Sequence, residues 1–334
     1  MTQAPPPSTD TVRRLIRAIV KENAYGASGP DVRPVAEGGE HATWWVGGTY
    51  VLRLALDRDS TVRQRRELRL RDLVRPQLPV GVPVSVAHGE WAPGLSYTLD
   101  TRLPGGSGEE NDVSAVGEAD LAGLLTGLRE VPVRQAGSLG VPRAAPRSLE
   151  ALRRMAVPAA ERLGAADEFD PVLLRQLTRT GAAQLTAQTG IAVLVHHDLK
   201  GEHLMVSPDG RVRGVLDWTD AAVGDPAEDI AGLALAVGSG AAVRAATLAD
   251  YGPRPCLRGL WLARCDTVLR LADRLAGHDV GPLPLLRSQL RRAWEAILLE
   301  RVTELRDDAP DDPQGDAQGD PPDDPPDGAP DDTE

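Results

Sequence analysis

Hydrophobic residues change their spacing along this chain, and each change predicts a different element. In TDTVRRLIRAIVKEN (9–23) apolar positions follow helical spacing after a Thr/Asp start, which predicts an amphipathic helix. TWWV (43–46) and TYVLRLAL (49–56) read as strands around Gly47-Gly48, a pair suited to a two-residue hairpin turn because glycine tolerates positive φ. STVRQRRELRLRDLVRP (60–76) predicts a helix that opens at Ser/Thr and stops at Pro76. PVSVAH (83–88) and LSYTLDTRL (95–103) predict two further strands, ending at the breaker Pro104–Gly108. Beyond it the pattern turns helical, at about 115–131, 147–164 and 170–189, and again from Ala227 to near Leu305.

One polar interruption breaks the helical half. Ile191–Val195 is apolar, His196–Glu202 is polar, and His203–Val206 starts a strand. Ser207-Pro208-Asp209-Gly210 is a turn signal, after which RVRGVLDW (211–218) runs back. The hairpin therefore carries Asp217 towards His203 and Asp198, which lie 14 and 19 residues away in sequence. Two carboxylates and an imidazole so gathered suit transfer of phosphate to a hydroxyl: one carboxylate accepts the proton, and the other two groups hold Mg²⁺ against the phosphates.

A β-rich first third joined to a helical remainder predicts an α+β chain of two lobes with a site between them. The segments expected are a disordered arm (1–8), a nucleotide-binding lobe (9–104), a helical catalytic and substrate lobe (105–306) and a disordered tail (307–334). Composition sharpens the last of these. The tail holds eleven Asp and one Glu with no Lys or Arg. Setting those 12 acids aside leaves 37 of the 49, against 37 Lys+Arg, so the net charge of −12 belongs to the tail. Asp/Pro/Gly text of this kind cannot bury a core. A neutral body gives no reason to expect nucleic acid or an anionic membrane as partner. Ile230–Val243, the longest small-apolar run, is shorter than the roughly 20 residues that span a bilayer. MTQAPPPSTD has no basic-then-apolar leader pattern, and two cysteines, Cys256 and Cys265, suggest no disulfide framework, so a cytoplasmic monomer is expected.

His196-x-Asp198-x-x-x-x-His203, then Asp217-Trp218-Thr219-Asp220, then Gly224-Asp225-Pro226-x-x-Asp229, resembles the signature of the aminoglycoside/macrolide phosphotransferase family. The likeness covers roughly 30–300, is specific over 195–230, and implies the two-lobed protein-kinase-like fold. It implies Asp198 as catalytic base and Asp217 as main metal ligand. His203 stands where most members carry an asparagine metal ligand, and histidine there resembles the macrolide enzymes and some aminoglycoside enzymes. His196 is implied to be structural, orienting the loop, while Asp225 and Asp229 are expected to cap the next helix and tie down the loop. Lys200 is a candidate for the γ-phosphate of ATP or GTP, weighed against a solvated loop lysine. Asp225 follows Asp217 so closely that no long activation segment fits, which disfavours protein kinases proper.

The same likeness calls for a strand cation paired to a helical glutamate, and both lysines, Lys21 and Lys200, lie elsewhere. Arg53 opposes the face of Leu52 and Leu54, and Glu67 shares a helical stripe with Leu70 and Val74, so this pair takes the position. Gly38 and Gly39 are the candidates for the turn over the phosphates, and the backbone near Asp100 and Thr101 for the purine. A small hydroxylated molecule is the expected acceptor. The five arginines against two acids in 253–275 favour one less cationic than an aminoglycoside, such as a macrolide. A small-metabolite kinase, a metal-dependent phosphohydrolase using His196, His197, Asp198 and His203, and an inactive nucleotide-binding scaffold are the alternatives.

Overall fold

A computed structural model describes residues 7–20, 31–35, 41–188, 192–278 and 280–297. Five antiparallel strands form the N-terminal sheet: β1 (Val32–Pro34), β2 (His41–Val46), β3 (Tyr50–Ala55), β4 (Ser85–Ala92) and β5 (Leu95–Thr101), in the order β1-β2-β3-β5-β4. Alternation sorts their side chains onto two faces. Trp44, Val46, Leu52, Leu54 and Leu99 pack against Val12 and Ile16 of α1 (Thr9–Ile19). Burying one such leucine contributes about 2 kcal/mol, enough to fix which face turns inward. The opposite face carries Arg53 and meets α2 (Arg58–Val74).

Several local expectations are corrected. Ser8 accepts a hydrogen bond from the Thr11 N–H and caps α1, so it belongs to the helix and not to a disordered arm. The β2–β3 register pairs Val46 with Tyr50, so the connection is the three-residue Gly47-Gly48-Thr49, with positive φ at Gly47 (58°). The α2 helix starts at Arg58, because Asp57 and Ser60 form a reciprocal capping box upstream of the expected start. The helix expected over 170–189 is two short ones, α6 (Pro171–Arg175) and α7 (Arg179–Gln184). Thr178 caps α7 by accepting from the Gly181 N–H, and this local bond interrupts the run.

The remaining elements are mainly helical: α3 (Ala115–Glu130), α4 (Val133–Ser138), α5 (Leu149–Ala165), α8 (Ala227–Val237), α9 (Ser239–Leu248), α10 (Pro253–Leu275) and α11 (Leu283–Ala293). The α10 helix is the central one, packing against α5, α8 and α11. Two small antiparallel sheets sit among them: β7 (Val193–Val195) with β10 (Ala222–Gly224), and β6 (Gly106–Ser107) with β8 (Leu204–Val206) and β9 (Val212–Val215). The hairpin β8–β9 turns at the expected residues, with Gly210 at φ 75°. This is the two-lobed α+β arrangement expected from the sequence. Cys256 and Cys265 are free and buried, and no helix of the described residues is long and apolar enough to cross a membrane. Gly38, Gly39 and the acidic tail lie outside the described residues.

Candidate active site

Strand β7 delivers the chain into a tight loop, residues 196–203, and α8 holds that loop from behind. Asp229 of α8 accepts from the backbone N–H of His196 and of His197, both at 2.8 Å. Those bonds stabilise an uncommon backbone, since His197 has φ of 71°. Asp225 has a different task from Asp229: it accepts from the Ala227 N–H and pairs with the buried Arg258 at 2.6 Å. His196 is fully buried. Its Nε2 lies 2.8 Å from the Leu216 carbonyl and its Nδ1 accepts from the Asp198 N–H at 3.3 Å, so both ring nitrogens are engaged. Burial, then the neighbouring His203, pushes this imidazole down to about 4. His196 is thus a neutral loop-orienting group, as the likeness implies.

Asp198 points into a cleft of about 700 Å³ lined also by His41, Arg53, Glu67, Asp100, Glu202, His203 and Asp217. Lys200 Nζ is 2.7 Å from Asp198 Oδ1. On its other side, His203 Nδ1 lies 2.8 Å from the Asp198 carbonyl and 3.3 Å from Asp198 Oδ2. Because a carbonyl only accepts, Nδ1 carries the proton and Nε2 the lone pair. That lone pair is 3.8 Å from Asp217 Oδ2. A carboxylate oxygen and an imidazole nitrogen so close fit a divalent ion that takes its other ligands from phosphate and water.

Asp217 occupies the left-handed region, φ 54°, at the end of the strand-like return from β9, where the Leu216 N–H donates to the His203 carbonyl. Partial burial pushes its carboxyl up, but Arg53 and then His203 outweigh this and hold it below the usual range. Arg53 connects the two lobes' acids. One nitrogen donates to both Glu67 oxygens, at 2.7 and 2.9 Å, and the other lies 3.9 Å from Asp217 Oδ1. Glu67 is 1% exposed, and despite burial its carboxyl stays below the usual range through Arg53 and Arg71.

The structure therefore brings Arg53, Glu67, Asp198, Lys200, His203 and Asp217 together. The purine candidates stand differently. The Thr101 and Arg102 N–H groups donate to the Val84 and Thr49 carbonyls, and the Asp100 side chain is a buried partner of Arg71, at 3.0 and 3.2 Å. Arg71 was not foreseen; it sits four residues after Glu67 on the same face, a spacing that could have flagged it. Thr219 was also missed as a contact, although its hydroxyl reaches Glu67 at 3.2 Å.

Two expectations fall. The phosphohydrolase alternative needs His196 as a ligand, yet both its nitrogens are engaged. Among the described residues no three His, Cys, Asp or Glu side chains are grouped to hold a metal ion. The arginines of α10 do not inform the acceptor either. Arg254, Arg258, Arg270 and Arg274 bond Thr186, Asp225, Gln289 and the Gly281 carbonyl, and Arg264 bonds the Ala293 carbonyl and stacks on Trp261 and Trp294.

Comparison with known proteins bears on the fold and the family. The GDP complex of aminoglycoside 2'-phosphotransferase-IIIa superposes with a TM-score of 0.61 at 18% identity, covering 84% of this chain and 98% of that one. The apoenzyme of a macrolide 2'-phosphotransferase from Brachybacterium faecium gives 0.55 at 24% identity, with 84% and 99% covered. These likenesses show the kinase-like fold. A 40-residue stretch is 50% identical to the uncharacterized protein YcbJ of Bacillus subtilis (strain 168), and spans only 12% of this chain and 13% of that protein. The sequence profile described as "APH: Phosphotransferase enzyme family" matches residues 31–264, which is 234 of the 334. Its span runs from β1 into α10 and encloses every charged residue of the cleft, and this chain belongs to that family.

Proposed function

We propose that this chain moves the γ-phosphate of ATP or GTP onto a hydroxyl of an antibiotic-like natural product, a macrolide or an aminoglycoside. One observation carries the reading: the continuous polar run Lys200–Asp198–His203–Asp217–Arg53–Glu67, each neighbour within 4 Å of the next, of which all but Lys200 line the same cleft. Family membership supports the reaction type, and the relatives named above support the acceptor and nucleotide classes.

In this reading Asp198 accepts the proton of the attacking hydroxyl. The hydroxyl oxygen bonds to the γ-phosphorus while the bond to the bridging oxygen breaks, and a nucleoside diphosphate leaves. Lys200 serves the γ-phosphate once nucleotide is present, which frees the Asp198 carboxylate for the proton. Arg53, oriented by Glu67, holds the inner phosphates. Asp217 and His203 would hold Mg²⁺, which would supply charge neutralisation at the phosphates. The purine is assigned to the cleft lining near Asp100 and Thr101, through groups other than the Thr101 and Arg102 N–H, which are already bonded within the protein.

The test is a panel of hydroxylated antibiotics and small metabolites with ATP and with GTP, reading mass gain of one phosphate. Asp198→Ala is expected to lose about 10²- to 10⁴-fold in turnover while still binding nucleotide. Near wild-type turnover by that variant would overturn the assignment of the base.

A further inference from the structure

His41 is the first residue of β2 and pairs with Ala55 of β3. Residues two and four further along, Thr43 and Trp45, line the same cleft, as strand alternation requires. The ring is 5% exposed, and its Nε2 has no hydrogen-bond partner among the described residues. Buried polar atoms are nearly always served, so an unserved one on a cleft wall marks a place where a ligand atom completes the bonding. Nothing in the sequence singled this residue out.

The ligand's chemistry follows from what surrounds the ring. Arg53, Glu67 and Asp217 all act on its charge. Burial, then Arg53, pushes the imidazole down to about 4, so the ring is neutral at ordinary pH and offers one N–H. Beside a guanidinium, the group that such an N–H meets is an anionic oxygen. Arg53 cannot serve that oxygen with all its donors, because one nitrogen already binds both Glu67 oxygens and the other leans towards Asp217. A second donor next to it makes up the shortfall.

We propose that His41 is a nucleotide-binding residue whose Nε2–H donates to a phosphoryl oxygen of the bound nucleotide, beside Arg53. The proposal rests on the phosphotransferase reading of the cleft and adds a contact that reading does not contain. It also gives Arg53, which stands where the likeness calls for a strand cation, a structural complement on the neighbouring strand.

Calorimetry with nucleoside, mono-, di- and triphosphate, in adenine and guanine forms, separates the possibilities. His41→Phe keeps a ring and removes the donor; His41→Gln keeps an N–H. Thermal unfolding of each variant checks the fold. Loss of roughly tenfold in di- and triphosphate affinity for His41→Phe, with nucleoside binding unchanged and partial recovery in His41→Gln, is the expected result. Equal losses for nucleoside and triphosphate would make His41 a packing residue and overturn the proposal, as would no loss at all or failure of both variants to fold. A wild-type protein that binds no nucleotide of any length would instead sink the reading of the cleft itself.

Discussion

The Thr219 hydroxyl donates to Glu67 Oε2 at 3.2 Å, joining residues 152 positions apart. The Thr219 carbonyl accepts from Arg66 at 2.7 Å, and its N–H donates to Asp217 Oδ1 at 3.4 Å. Residue 219 therefore ties α2 to the turn that carries Asp217, a job that needs no separate activation segment. Thr219→Val is expected to cost about 1 kcal/mol of stability and to lower turnover several-fold, with Thr219→Ser close to wild type. Unfolding and steady-state kinetics on the three proteins check this. Equal behaviour of valine and serine would remove the hydroxyl from the account.

Arg53 balances a buried carboxylate and a partly open one, and substitutions divide those duties. Arg53→Ala leaves Glu67 without its main partner, for which about 3–5 kcal/mol of destabilisation is expected. Arg53→Lys keeps a charge but has one nitrogen for Glu67 and Asp217, so nucleotide KM should rise more than kcat falls. If lysine were kinetically silent, the second guanidinium nitrogen would have no role.

Much of this was legible in the sequence because it is local. The hairpin that returns Asp217 to His203 follows from Ser207-Pro208-Asp209-Gly210, and the facing of Arg53 from strand alternation. What was not legible depends on pairing between distant segments. Arg71 with Asp100, Thr219 with Glu67, and the stranded nitrogen of His41 each require the sheet register and the placement of α2. The α10 arginines misled for the same reason: a count of charges along a helix does not say which are already bound to the protein's own carbonyls and acids.

Stability should rise with pH on the acid side, and His196 should supply part of the slope. Burial and then His203 hold its pKa near 4, below the ordinary 6.5. Between those values the unfolded chain binds the proton and the native one does not, so stability is complete above about pH 6.5 and is lost as pH falls. His41, also depressed to about 4, acts in the same sense. Asp229, raised by burial to about 7, acts oppositely. Two histidines against one aspartate leave a net slope of about 1 kcal/mol per pH unit near pH 5, which shrinks to a few tenths by about pH 6.5 as the unfolded histidines lose their protons. Denaturant unfolding across that window should show His196→Gln nearly flat. A variant slope equal to that of the wild type would refute the assignment.

His203 should leave a mark on metal preference. Its Nδ1 is held by the Asp198 carbonyl at 2.8 Å, so the lone pair on Nε2 faces Asp217 Oδ2 at 3.8 Å. Imidazole nitrogen favours later transition ions more than an amide oxygen does, while magnesium favours oxygen. The wild type is therefore expected to accept Mn²⁺ or Co²⁺ well relative to Mg²⁺. In His203→Asn that ratio should shift towards Mg²⁺. Turnover measured across the three ions, after chelation and readdition, tests the point. An unchanged ratio would mean that the ring orients the Asp198 loop through Nδ1 and does not touch the ion, in which case His203→Asn should lower kcat equally with every metal.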